Sequence, residues 1–220
     1  MNKYGVIIDY SKGIDLDPFP TVPTGALHVG DSYIVAGSLS MLLSVGVTDI
    51  VVMSEVGAAF LADAVGSYPG LDGVSITNLP EVDLVGLGNL LKKGIVSIMH
   101  DYGQPISIVP GNVITEIKLS DVENHHKAKG RPPATVVVIQ GMNTTELSVP
   151  AGYKPTGLII LEKEFLNFGS RSKPSLSLLD ILEDMDFKGK LSYYVSDGLY
   201  YEVTKPEHFL ALMGDAGVPT

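Results

Sequence analysis

From Tyr4 to Met53 the chain reads as an apolar strand, a long loop rich in Gly and Pro, a helix, a turn glycine and a second apolar strand. Few folds accommodate that order. Gly5 to Ile8 is apolar at consecutive positions, the mark of a strand covered on both faces. The helix is expected over about Tyr33 to Ser44, the turn at Gly46 and the second strand over Ile50 to Met53. A strand, a loop and a helix leading to a second buried strand make a parallel crossover. It is also the layout of a nucleotide-binding unit, although its loop lacks the basic groups that phosphate chemistry needs.

The alternation continues. A helix is expected over Glu55 to Ser67, a short strand over Val74 to Thr77 and, over Leu84 to Met99, a helix or a helix with a break at Gly94. Pro105 to Val109 reads as a strand ending at Pro110-Gly111-Asn112. A helix follows, with Ser120 as N-cap and Glu123 completing a capping box. Ala134 to Gln140 and Thr156 to Leu161 read as buried strands, and Ser175 to Met185 as a helix. Lys190 to Ser196 and Leu199 to Val203 are expected to form a hairpin about Asp197-Gly198. Lys205-Pro206 opens the last helix. There is no repeat and no linker, so residues 1–220 are expected to form a single domain with a frayed tail over 213–220. Strands alternating with helices predict an α/β fold with a mostly parallel sheet.

Composition narrows the function classes. Hydrophobic residues make up 45% and charged residues 18% of 220 positions; such a chain folds around a large core or oligomer interface. The formal net charge of −10 opposes a polyanion. The only basic cluster, His125-His126-Lys127-Ala128-Lys129-Gly130-Arg131, falls at a helix end, where cations offset the dipole. Nucleic acid is therefore not an expected partner. Without cysteine, disulfides, thiolate metal sites and cysteine nucleophiles are excluded. No apolar run approaches the roughly 18 residues that cross a bilayer, and the first residues carry no basic and then apolar leader. The expectation is a cytoplasmic protein with no membrane partner.

A series of short motifs, in order along the chain, gives the reading a name. Tyr10-Ser11-Lys12-Gly13-Ile14-Asp15-Leu16-Asp17-Pro18-Phe19-Pro20, then Pro23-Thr24, resembles the G-G-x-G-T-R-L-x-P-L-T loop and the P-K pair of the sugar-phosphate nucleotidyltransferases. Leu84-Val85-Gly86-Leu87-Gly88 stands where that family has L-G-T-A-G beside the base. Ile106 to Ile117 resembles its strand ending in G-D. His125 to Val136 resembles F-H-x-x-x-G-A-x-A-T-V. Thr156-Gly157-Leu158-Ile159-Ile160 resembles the A-G-I-Y-V strand at the sugar site. Asp197 to Phe209 resembles D-G-Y-W-x-D-I-G-T-P-E-D-Y. The resemblance implies a Rossmann-like sheet with helices on both faces, of the nucleotide-diphospho-sugar transferase type. The segment between Gln140 and Thr156 is shorter than the family's and lacks its E-K-P.

The chemistry implied by the resemblance is transfer of a nucleotidyl group from an NTP to a sugar 1-phosphate. Such a reaction is driven by cations and N–H groups that neutralise phosphoryl oxygens. The family's arginine falls on Asp15, its lysine on Thr24, one metal-binding aspartate on Asn112 and the other on Glu202. Losing one positioned cation costs on the order of 10³ in rate, or ~4 kcal/mol. No confident catalytic residue is left, Asp15 and Thr24 being degenerate positions. Ser11, Lys12, Gly13, Ile14, Gly86 and Gly88 are the candidates for holding a nucleotide, Thr156 and Gly157 for the sugar, and Asn112 and Glu202 for Mg²⁺, the one cofactor implied.

The residues also carry blander readings. Lys12 suits a solvated turn, Asp15 and Asp17 a polar loop, His100-Asp101 a helix end, and His125 and His126 a helix surface. Tyr193, Tyr194, Tyr200 and Tyr201 suit core packing on a hairpin. Three functions follow. The first is a non-catalytic relative acting as a regulatory or structural subunit, either as a homo-oligomer or beside an active paralogue, and binding a nucleotide or sugar phosphate in one version. The second is an active transferase with a rearranged site using Lys12, Glu202 and the N–H groups of Gly13 and Ile14. The third is an assembly protein whose pocket is closed by side chains such as Ile14 and Phe19.

Overall fold

Along the chain run β1 (Tyr4–Asp9), β2 (Ile14–Leu16), β3 (Phe19–Val22), β4 (His28–Val29), β5 (Ser32–Tyr33), α1 (Val35–Ser44), β6 (Asp49–Ser54), α2 (Ala58–Gly66) and β7 (Ser75–Leu79). Then follow β8 (Ile106–Pro110), β9 (Val113–Thr115), α3 (Leu119–Ala128), β10 (Ala134–Gln140), β11 (Tyr153–Leu161), α4 (Leu178–Phe187), β12 (Leu191–Val195), β13 (Tyr200–Glu202) and α5 (Pro206–Asp215). The structure is a computed structural model and describes residues 3–16, 19–79, 104–143, 145, 147–168 and 177–215. The helix expected over Leu84 to Met99, Gly86, Gly88, His100-Asp101, Asp17 and the end of the tail lie outside those residues.

Seven strands form one sheet in the order β12-β10-β11-β8-β1-β6-β7. Neighbours run parallel except where β11 lies antiparallel to β10 and β8. Strand periodicity divides the core in two. Val6 and Ile8 of β1, Ile106 and Ile108 of β8, and Val136 and Val138 of β10 join one cluster, covered by Leu178, Ile181, Leu182 and Met185 of α4 and by Phe165. Ile7, Val109 and Val137, one step along the same strands, join the other, covered by α1, α2 and α3. Alternate side chains point to opposite faces, and both faces carry helices. The strands therefore read as continuous apolar runs.

Three local expectations change. Asp197-Gly198 does not close a hairpin. β12 instead pairs parallel with β10, from Ala134↔Leu191 to Val138↔Val195, and β13 pairs antiparallel with β9. The open edge of β10 offers a row of N–H and C=O groups that a short turn cannot compete with. Ser120 is not an N-cap, because α3 starts at Leu119 behind an uncapped Lys118. Leu119 is fully buried, and burying it draws the first turn back by one residue. The side-chain cap is found at α4, where the Ser177 hydroxyl accepts from Asp180 N and the Asp180 carboxylate accepts from Ser177 N. The third change is in the tail: residues 213–215, expected to fray, close α5.

Replacing Ser177 with Ala should therefore lower stability by about 1 kcal/mol, whereas Ser120→Ala should stay within about 0.5 kcal/mol of the parent. Equilibrium urea unfolding of the two variants measures both.

Candidate functional site

β1 has β6 on one side and β8 on the other, so the direction in which the chain winds reverses there. Open α/β sheets bind ligands in the crevice beyond the carboxyl ends of the strands at such a point. Here that crevice is framed by Asp9, Tyr10 and Ser11 from the end of β1, by Pro110, Gly111 and Asn112 from the end of β8, and by the segment after β13.

Asp9 organises the loop. It is fully buried. One of its oxygens accepts from Ser11 N at 2.8 Å and the other from Gly25 N at 2.7 Å. Ser11 Oγ accepts from Thr24 N at 3.1 Å and from Gly13 N at 3.3 Å. Four backbone N–H groups that a phosphate-binding loop would turn toward its ligand thus end on the chain's own oxygens. Burial pushes the Asp9 carboxyl up; bonds from the Ser11 hydroxyl and the Gly25 and Ser11 N–H groups oppose this, and the nearby Glu202 charge adds to it.

Thr24 and Asn112, the lysine and aspartate positions of the family pattern, converge on one backbone carbonyl. Thr24 Oγ1 donates to Val203 O at 2.8 Å and Asn112 Nδ2 donates to it at 3.2 Å. Val203 N in turn donates to Asn112 O at 2.8 Å. Both side chains are fully buried. Asn112 Oδ1 finds no protein partner among the described residues. With Glu202 it would offer Mg²⁺ one neutral oxygen and one carboxylate. No group of three or more His, Asp or Glu side chains among the described residues is placed to hold a metal ion. Magnesium requires near-octahedral coordination by hard, mostly charged oxygens, and these two residues do not fit it.

Gly157 sits on β11 opposite the end of β8. A methyl group there would lie 2.7 Å from Pro110 Cγ and 2.9 Å from Tyr10 Cε2, so the Tyr10 ring fills the space that the glycine opens. Tyr200 joins it from β13 and takes a backbone hydrogen bond from Gly157. Burial raises both phenols, and the Glu202 charge raises them further. Glu202 pairs with Val113 through the β13–β9 ladder, and its carboxylate makes no hydrogen bond or ion pair among the described residues.

Other candidates are placed as follows. Lys12 is exposed. Gly13 takes φ +76°, and a methyl group there would lie 2.6 Å from Thr21 Cγ2, so the β2–β3 hairpin requires it. Ile14 is buried and pairs with Val22, and Asp15 lies on β2. Thr156 Oγ1 donates to Val137 O at 3.0 Å and accepts from Leu158 N, filling the register shift between β10 and β11. His126 is not a surface residue. It is 2% exposed, with Nδ1 2.9 Å from Thr135 Oγ1 and Nε2 3.0 Å from Glu162 Oε1. His125 stands edge-on to Tyr194. The four tyrosines are divided between β12 and β13 rather than sharing a hairpin. Sequence reasoning missed Asp9, Tyr10 and Tyr200. The available signal was that Tyr10 and Ser11 replace the two glycines that open the family pattern.

No family model matches the chain. The mannose-1-phosphate guanyltransferase of Saccharomyces cerevisiae is 23% identical over 228 residues, covering 94% of this chain and 63% of that protein; the Kluyveromyces lactis enzyme of the same name gives the same figures. The chain thus spans less than two thirds of the length of these curated relatives. A Bacillus anthracis structure assigned as a glucose-1-phosphate thymidylyltransferase, in complex with sucrose, superposes with a TM-score of 0.74 at 14% identity, covering 99% of this chain and 96% of that one. A UDP-glucose pyrophosphorylase complexed with UDP-glucose matches with a TM-score of 0.74 at 14% identity, covering 98% of each chain. The chain therefore has the fold of the sugar-phosphate nucleotidyltransferases, together with weak sequence similarity to mannose-1-phosphate guanyltransferases.

The two raised phenols give a pH test. An acid whose folded pKa exceeds its unfolded value contributes stability that is complete below the unfolded value, here 10.0, and is lost as the pH rises through the folded one. Alkaline unfolding should therefore set in as Tyr10 and Tyr200 ionise. Tyr10→Phe and Tyr200→Phe should each move the alkaline midpoint upward, read by circular dichroism alongside the ultraviolet absorbance of tyrosinate.

Proposed function

We propose that this chain is a non-catalytic relative of the sugar-phosphate nucleotidyltransferases that acts as a regulatory or structural subunit. The observation that carries the reading is the filled crevice. A phosphoryl-transfer site needs N–H donors and cations free to meet developing charge. At this crevice the loop N–H groups already serve Asp9 and Ser11, Thr24 and Asn112 clamp Val203, and the Tyr10 ring lies on Gly157. The Glu202 charge acts on Asp9, Tyr10 and Tyr200, so it stands at the crevice and opposes a triphosphate there.

A subunit acts through its surface. Among the described residues Phe187 is 92% exposed and Met142 83% exposed. A second copy of the chain or an active paralogue is the partner class that the shared fold supports. The relatives in Saccharomyces cerevisiae and Kluyveromyces lactis are named as guanyltransferases, so the competing reading is an active transferase with a rearranged site built on Lys12, Glu202 and the backbone N–H groups of Gly13 and Ile14.

Pyrophosphate release separates the two. Purified protein with each NTP, a panel of sugar 1-phosphates and Mg²⁺ should give no release above background; turnover by the unmodified chain would overturn the proposal. Tyr10→Gly, checked for folding by its thermal melt, should reopen the crevice enough for a nucleoside triphosphate to protect loop residues 10–25 from hydrogen exchange, while the parent chain shows no such protection.

A further inference from the structure

A second cavity, lined by both charged and apolar side chains, lies at the opposite end of the sheet, before the first residues of β1 and β8. It measures about 190 Å³, and its walls include Lys3, Glu123, His126, Lys127, Arg131 and Ile160. We propose that this cavity binds a small phosphate-type oxyanion, through Arg131, Lys127 and Lys3. The inference is independent of the filled crevice.

Charge accounting points to an anion. Lys3 pairs with Glu123, and Lys127 Nζ lies 3.6 Å from the same carboxylate. Arg131 has no carboxylate partner among the described residues. Three cations thus face one carboxylate in the lining. Two helix ends take part of the excess: Lys3 Nζ donates to Val45 O at 2.9 Å, at the end of α1, and α3 ends beside the cavity. Each terminus carries about half a negative charge, which leaves roughly one positive charge facing the cavity. Glu162 is held behind His126 at 3.0 Å and is not part of the lining. In a chain of formal net charge −10, a concave basic site of this kind does not follow from overall composition.

Arg131 supplies the second observation. Its φ of 56° makes it the only non-glycine residue in the left-handed region among the described residues. The turn is closed by Arg131 N donating to His126 O at 3.0 Å. Glycine would take this conformation with less strain, yet an arginine stands there, beside a cavity, with no carboxylate partner for its guanidinium among the described residues. Strained backbone that presents a functional group is a recurrent device at ligand sites. The guanidinium fork matches two oxygens of a tetrahedral anion, and two ammoniums can meet the rest. The space far exceeds the share of a single water, about 30 Å³.

Calorimetric titration of the full chain with inorganic phosphate and with glucose 1-phosphate, at constant ionic strength, tests this. The parent chain should bind, more weakly as salt rises. Arg131→Gly should weaken binding at least about tenfold while its melting temperature stays level or rises, since glycine suits the backbone. Loss of binding then cannot be put down to misfolding. Similar affinity for both probes indicates a phosphate ester with its head group in the cavity; inorganic phosphate alone indicates a free ion. Failure of the parent chain to bind either probe overturns the proposal. So does unchanged affinity in Arg131→Gly, or loss of binding in Tyr10→Gly, which would place the anion in the crevice.

Discussion

One buried carboxylate sets the form of the crevice. Taken out of water alone, an anion costs several kcal/mol, and N–H donors from Ser11 and Gly25 offset part of that cost for Asp9, whose carboxyl is still pushed up by burial. Hydrogen bonds to a charged group are worth about 1.5–3 kcal/mol each, so the bonds and the burial are of the same order and depend on one another. The loop can close only with its donors turned inward. A phosphate arriving from solvent meets a loop already wrapped around an anion that belongs to the chain, with Ser11 relaying the same hold to Gly13 and Thr24.

The positions that the nucleotidyltransferase pattern reserves for chemistry have been given structural work. Thr24 and Asn112 both donate to the Val203 carbonyl, tying the switch point of the sheet to the segment after β13. Gly157 keeps the open space of a sugar-site glycine, but the chain's own tyrosine uses it. The backbone keeps the fold of the sugar-phosphate nucleotidyltransferases at only 14% sequence identity, while at this crevice the chain's own side chains contact one another.

The fold was legible because its signals are local and periodic. The runs at Gly5 to Ile8 and Ala134 to Gln140 mark strands covered twice, and the interleaved helical stretches fix the parallel crossovers. What failed was pairing at a distance. Asp197-Gly198 looks like a hairpin turn, but the choice between closing locally and joining β10 is made by an edge 50 or so residues earlier, which no short window contains. His126 read as a surface residue because its neighbours are charged; its partners, Thr135 and Glu162, come from β10 and from just beyond β11. At the site, the missing arginine and lysine were visible as substitutions. The residues that do the filling were harder to see, because Asp9 and Tyr10 acquire meaning only once Gly25 and Gly157 are beside them.

The grip on Val203 also bears on how the chain is made. Thr24 and the carbonyl it holds are 179 positions apart, and contacts that distant form late because so much chain must first be ordered. On a ribosome, the first crossover can assemble before its loop has its last acceptor, which is translated 179 positions after Thr24. Until Val203 has emerged, the loop after β1 lacks the acceptor that Thr24 holds in the finished fold.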